Sequence, residues 1–217
     1  MAATTTILSV ATLIVSFFIS TLLFIGLSPL KMNVNKEYVE EVITFIINTT
    51  LLIWTGKVLF NLSLFLNDPI AVLAYPSGSR DLYFGVFIAS LILLYYSKRK
   101  DLQLHIFVYT LVGITLFASL SYTFIDLIWH ENSFTFPYLI VLVLSAVGYT
   151  ISTNLLSLNQ VSALTITFWG VGQLYLVFTL PFITLFSYMV SPWFVGFILI
   201  IGIFIILKQS RKLVSHD

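Results

Sequence analysis

The sequence predicts an all-α integral membrane protein: a seven-transmembrane-helix bundle with an irregular arm on its periplasmic or extracellular side. Composition carries the first half of that reading. Hydrophobic residues make up 59% of the chain and charged residues 9%, with a mean hydropathy of +1.04, whereas a water-soluble domain is roughly one quarter charged. The second half comes from spacing, because the apolar residues fall into runs close to the roughly 20 residues that cross a bilayer.

Taken in order, the runs cover Ile7 to Leu27, Val42 to Leu66, Leu82 to Tyr96, Leu102 to Ile128, Pro137 to Leu156, Ala163 to Val190 and Trp193 to Leu207. The first has no Lys or Arg before it and no small-residue cleavage pattern after it, so it reads as a retained helix and not as a signal peptide. The third and seventh are short for a span. The sixth is long enough to tilt or to kink at Pro181. Between the second and third runs, Asn67-Asp68-Pro69 and Tyr75-Pro76-Ser77-Gly78-Ser79-Arg80-Asp81 bracket the apolar stretch Ile70 to Ala74. Prolines and glycine predict irregular backbone there, an arm lying on or dipping into the membrane. No repeat or linker interrupts the chain, which reads as one domain, 1–217.

Orientation follows from the cations, since Lys and Arg concentrate in cytoplasmic loops. Lys98, Arg99 and Lys100 form one cluster and Lys208, Arg211 and Lys212 another, four helices later, with Lys31 and Lys36 falling on the same side. The expectation is an N-terminus outside and a cytoplasmic C-terminus. A formal charge of +1 offers no basic face for nucleic acid. With no cysteine, disulfides, thiolate metal sites and thioester intermediates are excluded. Three separated histidines lack metal-ligand spacing, and no phosphate loop, nucleophile elbow or other cofactor motif is present. The sequence implies no metal and no cofactor.

An ionisable residue inside a span needs an account, and Lys57 and Asp126 are the two. Ser119, Tyr122, Thr123, Asp126 and His130 share one helical face, as do Ser145, Gly148, Tyr149 and Ser152 on the next helix. Such stripes are expected either to face each other across a polar cavity or to glue helices together. A Lys57–Asp126 pair holding the bundle is a further reading. His105 reads as an exposed or structural residue, and Gly170 with Gly172 as helix packing.

Several segments resemble, in order, the prolipoprotein diacylglyceryl transferase family. Gly56-Lys57-Val58-Leu59-Phe60 is similar to its Gly-x-Arg-Leu-x-Tyr, and Asp68-Pro69-Ile70-Ala71-Val72-Leu73 to its arm. Gly78-Ser79-Arg80-Asp81-Leu82-Tyr83-Phe84-Gly85 lies on its Gly-Gly-x-Ser-Phe-His-Gly-Gly. Tyr122 to Glu131 lies on its Gly-Arg-x-Gly-Asn-Phe-x-Asn-Gly-Glu, and Gln160 and Gln173 fall on two later motifs.

The resemblance implies a bacterial plasma-membrane protein with phospholipid and prolipoprotein signal peptides as partners. The implied reaction transfers diacylglyceryl from phosphatidylglycerol to a lipobox cysteine. Glu131, Tyr83 and Asp126 would be its catalytic candidates, and Lys57, Arg80, Gly78, Gly85, Gln160 and Gln173 its substrate-binding ones. Thr123 and Gln173 stand where the family has arginines, Tyr83 where it has histidine, and Asp126 where it has asparagine. An anionic lipid needs fixed cations, and a phenol is a weak base for a thiol at neutral pH, so these replacements point away from the standard reaction. The alternatives are a non-catalytic lipid- or lipoprotein-binding paralogue and a small permease built around Lys57 and Asp126.

Overall fold

Backbone within lipid must satisfy its own N–H and C=O groups, so long apolar runs fold as helices. The computed structural model describes residues 2–74, 78–99, 102–130, 135–180, 183–186 and 188–214. Along the chain lie α1 (Ala2–Leu27), α2 (Met32–Phe60), α3 (Leu62–Asn67), α4 (Pro69–Ala74), α5 (Ser79–Arg99), α6 (Leu104–His130), α7 (Thr135–Ser152) and α8 (Leu158–Thr179). Strands β1 (Thr184–Leu185) and β2 (Tyr188–Met189) and helix α9 (Pro192–Val214) follow. Six helices are long and apolar enough to cross a membrane, and α9 is apolar over Pro192–Lys208. The chain is a multi-pass membrane protein, all-α among the described residues apart from one hairpin of two-residue strands.

Helix α6 is the centre of the bundle, touching α1, α2, α7 and α8, while α5 lies along α2 and α9 along α8. The packing inverts that of a soluble protein. On α1, Ser16, Ser20 and Phe24 are fully buried while Ile14, Phe18 and Leu22 face outward, because small residues allow close approach and lipid accepts the large apolar ones. At the middle, Tyr109 stacks on Tyr149, with Phe24 tilted against Tyr109 and Phe117 edge-on to Tyr149, centroids 5.4 to 5.8 Å apart. Gly113 makes room for them: a Cβ there would lie 2.7 Å from Phe24 Cδ2.

Three departures from the expected elements have local causes. Helix α2 extends back to Met32 through Lys36, Glu37, Glu40 and Glu41 and stops at Phe60, short of Leu66; hydropathy marks the lipid-buried part of a helix, whereas hydrogen bonds set its ends. The arm is also more regular than its prolines suggested, with Pro69 to Ala74 helical. Proline suits the first helical position, and Asp68 Oδ1 accepts the Ala71 N–H at 3.0 Å. Tyr75, Pro76 and Ser77 lie outside the described residues.

The sixth run does not continue to Val190. Helix α8 ends at Thr179 with Leu180 extended (φ −112°, ψ 150°), since the residue before a proline is pushed out of the helical region. The chain then forms the hairpin, with Thr184 opposite Met189 and Leu185 opposite Tyr188. Phe186 sits in its turn at φ 50°, a conformation that costs a side chain roughly 1 kcal/mol or more. Its ring is held against Phe17 and Tyr122, with centroids at 5.4 and 5.7 Å.

Two ends of the bundle are thereby defined. One gathers the end of α2, the start of α5, the hairpin and the start of α9, tied by Ser79 Oγ donating to Met189 O and Ser191 N–H donating to the Tyr83 hydroxyl, both at 2.7 Å. The other brings together the starts of α2 and α6, where the Tyr38 hydroxyl accepts Gln103 N–H at 3.2 Å. Among the described residues, every Lys and Arg except Lys57 and Arg80 belongs, by its position along the helices, to this second end.

Candidate functional site

Two cavities open from the less basic end. The larger, about 730 Å³, lies between the last turn of α2, the arm helices and the first turn of α5. Lys57, Asn61, Gly78, Ser79, Arg80, Asp81, Tyr83 and Ser191 form its polar wall, and Phe60, Leu64 and Val72 its apolar one. Lys57 and Asp81 are each only 6% exposed, while Arg80 is exposed. The carboxylate whose charge acts on Lys57 is Asp81, and Asp81 Oδ2 also accepts Gly78 N–H at 2.8 Å. Asn61 Nδ2 donates to Lys57 O at 2.8 Å, holding the end of α2.

This cavity is set by a tight crossing of α2 and α5. Gly85 lies against Ile53, where a Cβ would come 2.8 Å from Ile53 N, and Gly56 lies under the Phe84 ring, 2.7 Å from where its Cβ would be. Two missing side chains let the helices close, which carries Lys57 to Asp81. Tyr83 is equally fixed. Its hydroxyl accepts the Ser191 N–H, and its ring contacts Trp193 and Phe194 with centroids at 4.7 Å. Tyr83→Phe is expected to lower stability by about 1 kcal/mol, the worth of one such hydrogen bond. A thermal midpoint unchanged from the wild type would show that the Ser191 contact carries no energy.

The smaller cavity, about 40 Å³, lies between α6, α7 and the unwound chain after α8. Ser119, Tyr122, Thr123 and Asp126 line it together, so the α6 stripe does face the bundle interior. The matching α7 stripe does not face it. Helix α7 runs antiparallel to α6, which opposes Thr135 and Tyr138 to the Asp126 end and sends Tyr149 to Tyr109, whose carbonyl its hydroxyl meets at 3.3 Å. Gly148 has nothing within 4 Å of a Cβ position and is exposed.

The sequence-derived candidates thus divide. Lys57, Gly78, Arg80 and Tyr83 converge on the larger cavity, and Asp126 borders the smaller. Lys57 and Asp126 line separate cavities. Gly85 is a packing residue in the α2–α5 crossing. Gln160 lies at the other end of the bundle, where its Oε1 accepts Ser157 N–H at 3.0 Å and the Ser157 hydroxyl at 2.9 Å, half of a capping box at the start of α8. Gln173 is 3% exposed in α8, and its Nε2 has no partner among the described residues. Glu131 lies outside the described residues.

Elsewhere the simpler readings hold. His105 is exposed at the start of α6, and Gly170 and Gly172 pack against Leu199 and Val141. Asp81, Asn61, Ser191, Tyr138 and Thr184 were not legible as site residues. Asp81 read as the last residue of the irregular arm, and the others join their cavities only through the tertiary fold.

A multi-pass helical membrane protein with a cavity walled by Lys57 and Arg80 at one end and a small hydroxyl-rich one beside it is the class these features define. Comparison with protein-family models, curated proteins and solved structures finds no match for the chain.

Proposed function

We propose that this protein binds anionic phospholipid through the Lys57–Arg80 cavity and is a non-transferring relative of the prolipoprotein diacylglyceryl transferases. In this reading all seven long helices span a bacterial plasma membrane, with the N-terminus outside and the C-terminus in the cytoplasm. The observation that carries it is the meeting of Lys57 and Arg80 in one cavity that also has an apolar wall of Phe60, Leu64 and Val72. Lysine serves a phosphate as a point charge and arginine as a planar fork. The apolar wall suits the first methylenes of the acyl chains, and about 730 Å³ is within the range of small-molecule pockets.

Binding is better supported than transfer. The family reaction would have a cysteine thiolate attack a glycerol carbon, forming C–S and breaking C–O, with glycerol phosphate leaving and a base taking the thiol proton. Tyr83 stands where the family has histidine, and its hydroxyl is engaged by the Ser191 N–H while a phenol is a weak base for a thiol at neutral pH.

The test is native mass spectrometry of the detergent-purified protein with equal phosphatidylglycerol and phosphatidylcholine. Phosphatidylglycerol is expected to be retained about tenfold better, a difference of about 1.4 kcal/mol; equal retention removes the proposal. Adding a lipobox peptide should yield no thioether. A product that disappears in Glu131→Gln would instead establish a transferase rebuilt around other residues.

A further inference from the structure

The smaller cavity has a chemistry that the lipid-binding reading does not use. Its lining supplies one carboxylate, Asp126, and six hydroxyl-bearing residues, Ser119, Tyr122, Thr123, Thr135, Tyr138 and Thr184. Oxygen is thus the predominant polar atom offered. The Tyr138 residue is 9% exposed, and its buried hydroxyl makes no hydrogen bond of acceptable geometry to any described residue, although Ser119 and Trp169 lie beside it. A buried hydroxyl without a partner is costly, and its residue is one of those that line this cavity.

The backbone around the cavity has a sign as well. Helix α8 ends at Thr179, and Leu180 and Ile183, just beyond that end, line the space. A helix C-terminus is the negative end of the helix dipole, with carbonyls that lack helical partners. Unwound backbone after a broken helix, beside a carboxylate within a membrane bundle, is the arrangement in which transporters hold monovalent cations.

We infer that this cavity is a binding site for one monovalent cation of the sodium or potassium class, held by Asp126, the Tyr138 hydroxyl and neighbouring hydroxyl and carbonyl oxygens. Size and donor set narrow the choice. About 40 Å³ is room for a small ion with a few water molecules at most. No group of three His, Cys, Asp or Glu occurs among the described residues, which disfavours a transition metal, and hard oxygen donors with a single carboxylate offer little charge to a divalent ion. The cation would also tie the hairpin to α6 and α7 through Thr184, across the aromatic contact of Phe186 with Tyr122.

The experiment titrates the purified full-length protein with sodium, potassium or choline chloride at constant ionic strength, at neutral and acidic pH, reading the thermal midpoint and radioactive sodium binding. Sodium or potassium should raise the midpoint saturably above choline. Asp126→Asn should remove the saturable part, Tyr138→Phe should weaken it roughly tenfold, and the outward-facing Gly148→Ala should leave it intact. If Asp126→Asn does not fold, the wild-type isotherms and Tyr138→Phe still decide the matter. A midpoint that follows choline equally, or pH alone, overturns the inference and leaves water in the cavity. Undiminished sodium binding by folded Asp126→Asn overturns it as well.

Discussion

Gly85→Leu is expected to open the α2–α5 crossing and to leave little monodisperse protein after extraction in detergent. The reason is the identity of the atoms in the way. A Cβ at this position meets Ile53 Cγ1 and lies 2.8 and 2.9 Å from Ile53 N and Cα, so a helix backbone must move, not a side-chain tip. Overpacking that side chains can absorb costs about 1–3 kcal/mol, and a displaced helix should exceed that range. Native proteins hold only about 5–15 kcal/mol in total. Gly56→Ala meets the Phe84 ring at 2.7 Å, which can rotate away, so its loss should be milder. Gly148→Ala meets nothing within 4 Å and should change stability by no more than about 0.5 kcal/mol. Size-exclusion profiles and thermal midpoints of the three variants check this order. A Gly85→Leu protein that elutes and melts like the wild type would mean that α2 and α5 do not meet at Ile53.

That crossing also marks the limit of what the sequence discloses. Composition and run length were enough for helices and for membrane residence, because the bilayer imposes both on any chain that spans it. The α6 stripe was legible as well, since Ser119, Tyr122, Thr123 and Asp126 share a face through helical period alone. What faces that stripe depends on how far α7 slides along α6, and helical period carries no information about a neighbour's register. Tyr149 therefore went to Tyr109 and Tyr138 to the polar cavity. The surroundings of Lys57 were not legible for a related reason. Asp126 drew attention as the other charge inside a span, whereas Asp81, at the head of a helix, becomes its neighbour because Gly56 and Gly85 let α5 come close. Glycines in apolar helices look alike in sequence; their contacts show which of them place a charge.

The energetic consequence of that placement can be measured by a double-mutant cycle on Lys57 and Asp81. Breaking a sealed buried pair by removing one partner costs about 3–5 kcal/mol. Here both residues border a cavity of about 730 Å³ that admits water, so each single change, Lys57→Met or Asp81→Asn, should cost nearer 2 kcal/mol. The double variant should lose less than the sum, with a coupling of about 1–2 kcal/mol between two charges that act on each other. Stability alone does not separate a structural pair from a lipid site, but lipid retention does, because the two single variants should move it in opposite directions. On the proposed lipid-binding reading, Asp81 would compete with the phosphate for Lys57. Asp81→Asn should therefore raise phosphatidylglycerol retention while Lys57→Met lowers it at least about tenfold, one charge-assisted hydrogen bond being worth about 1.5–3 kcal/mol. If both variants shed lipid in proportion to their lost stability, retention only reports folding, and the pair is a strut. Undiminished phosphatidylglycerol binding by a folded Lys57→Met protein would remove the lysine from the site altogether. Opposed shifts, measured by native mass spectrometry on variants of similar stability, would assign Lys57 to the lipid phosphate and make Asp81 the group that holds the lysine in place until lipid arrives.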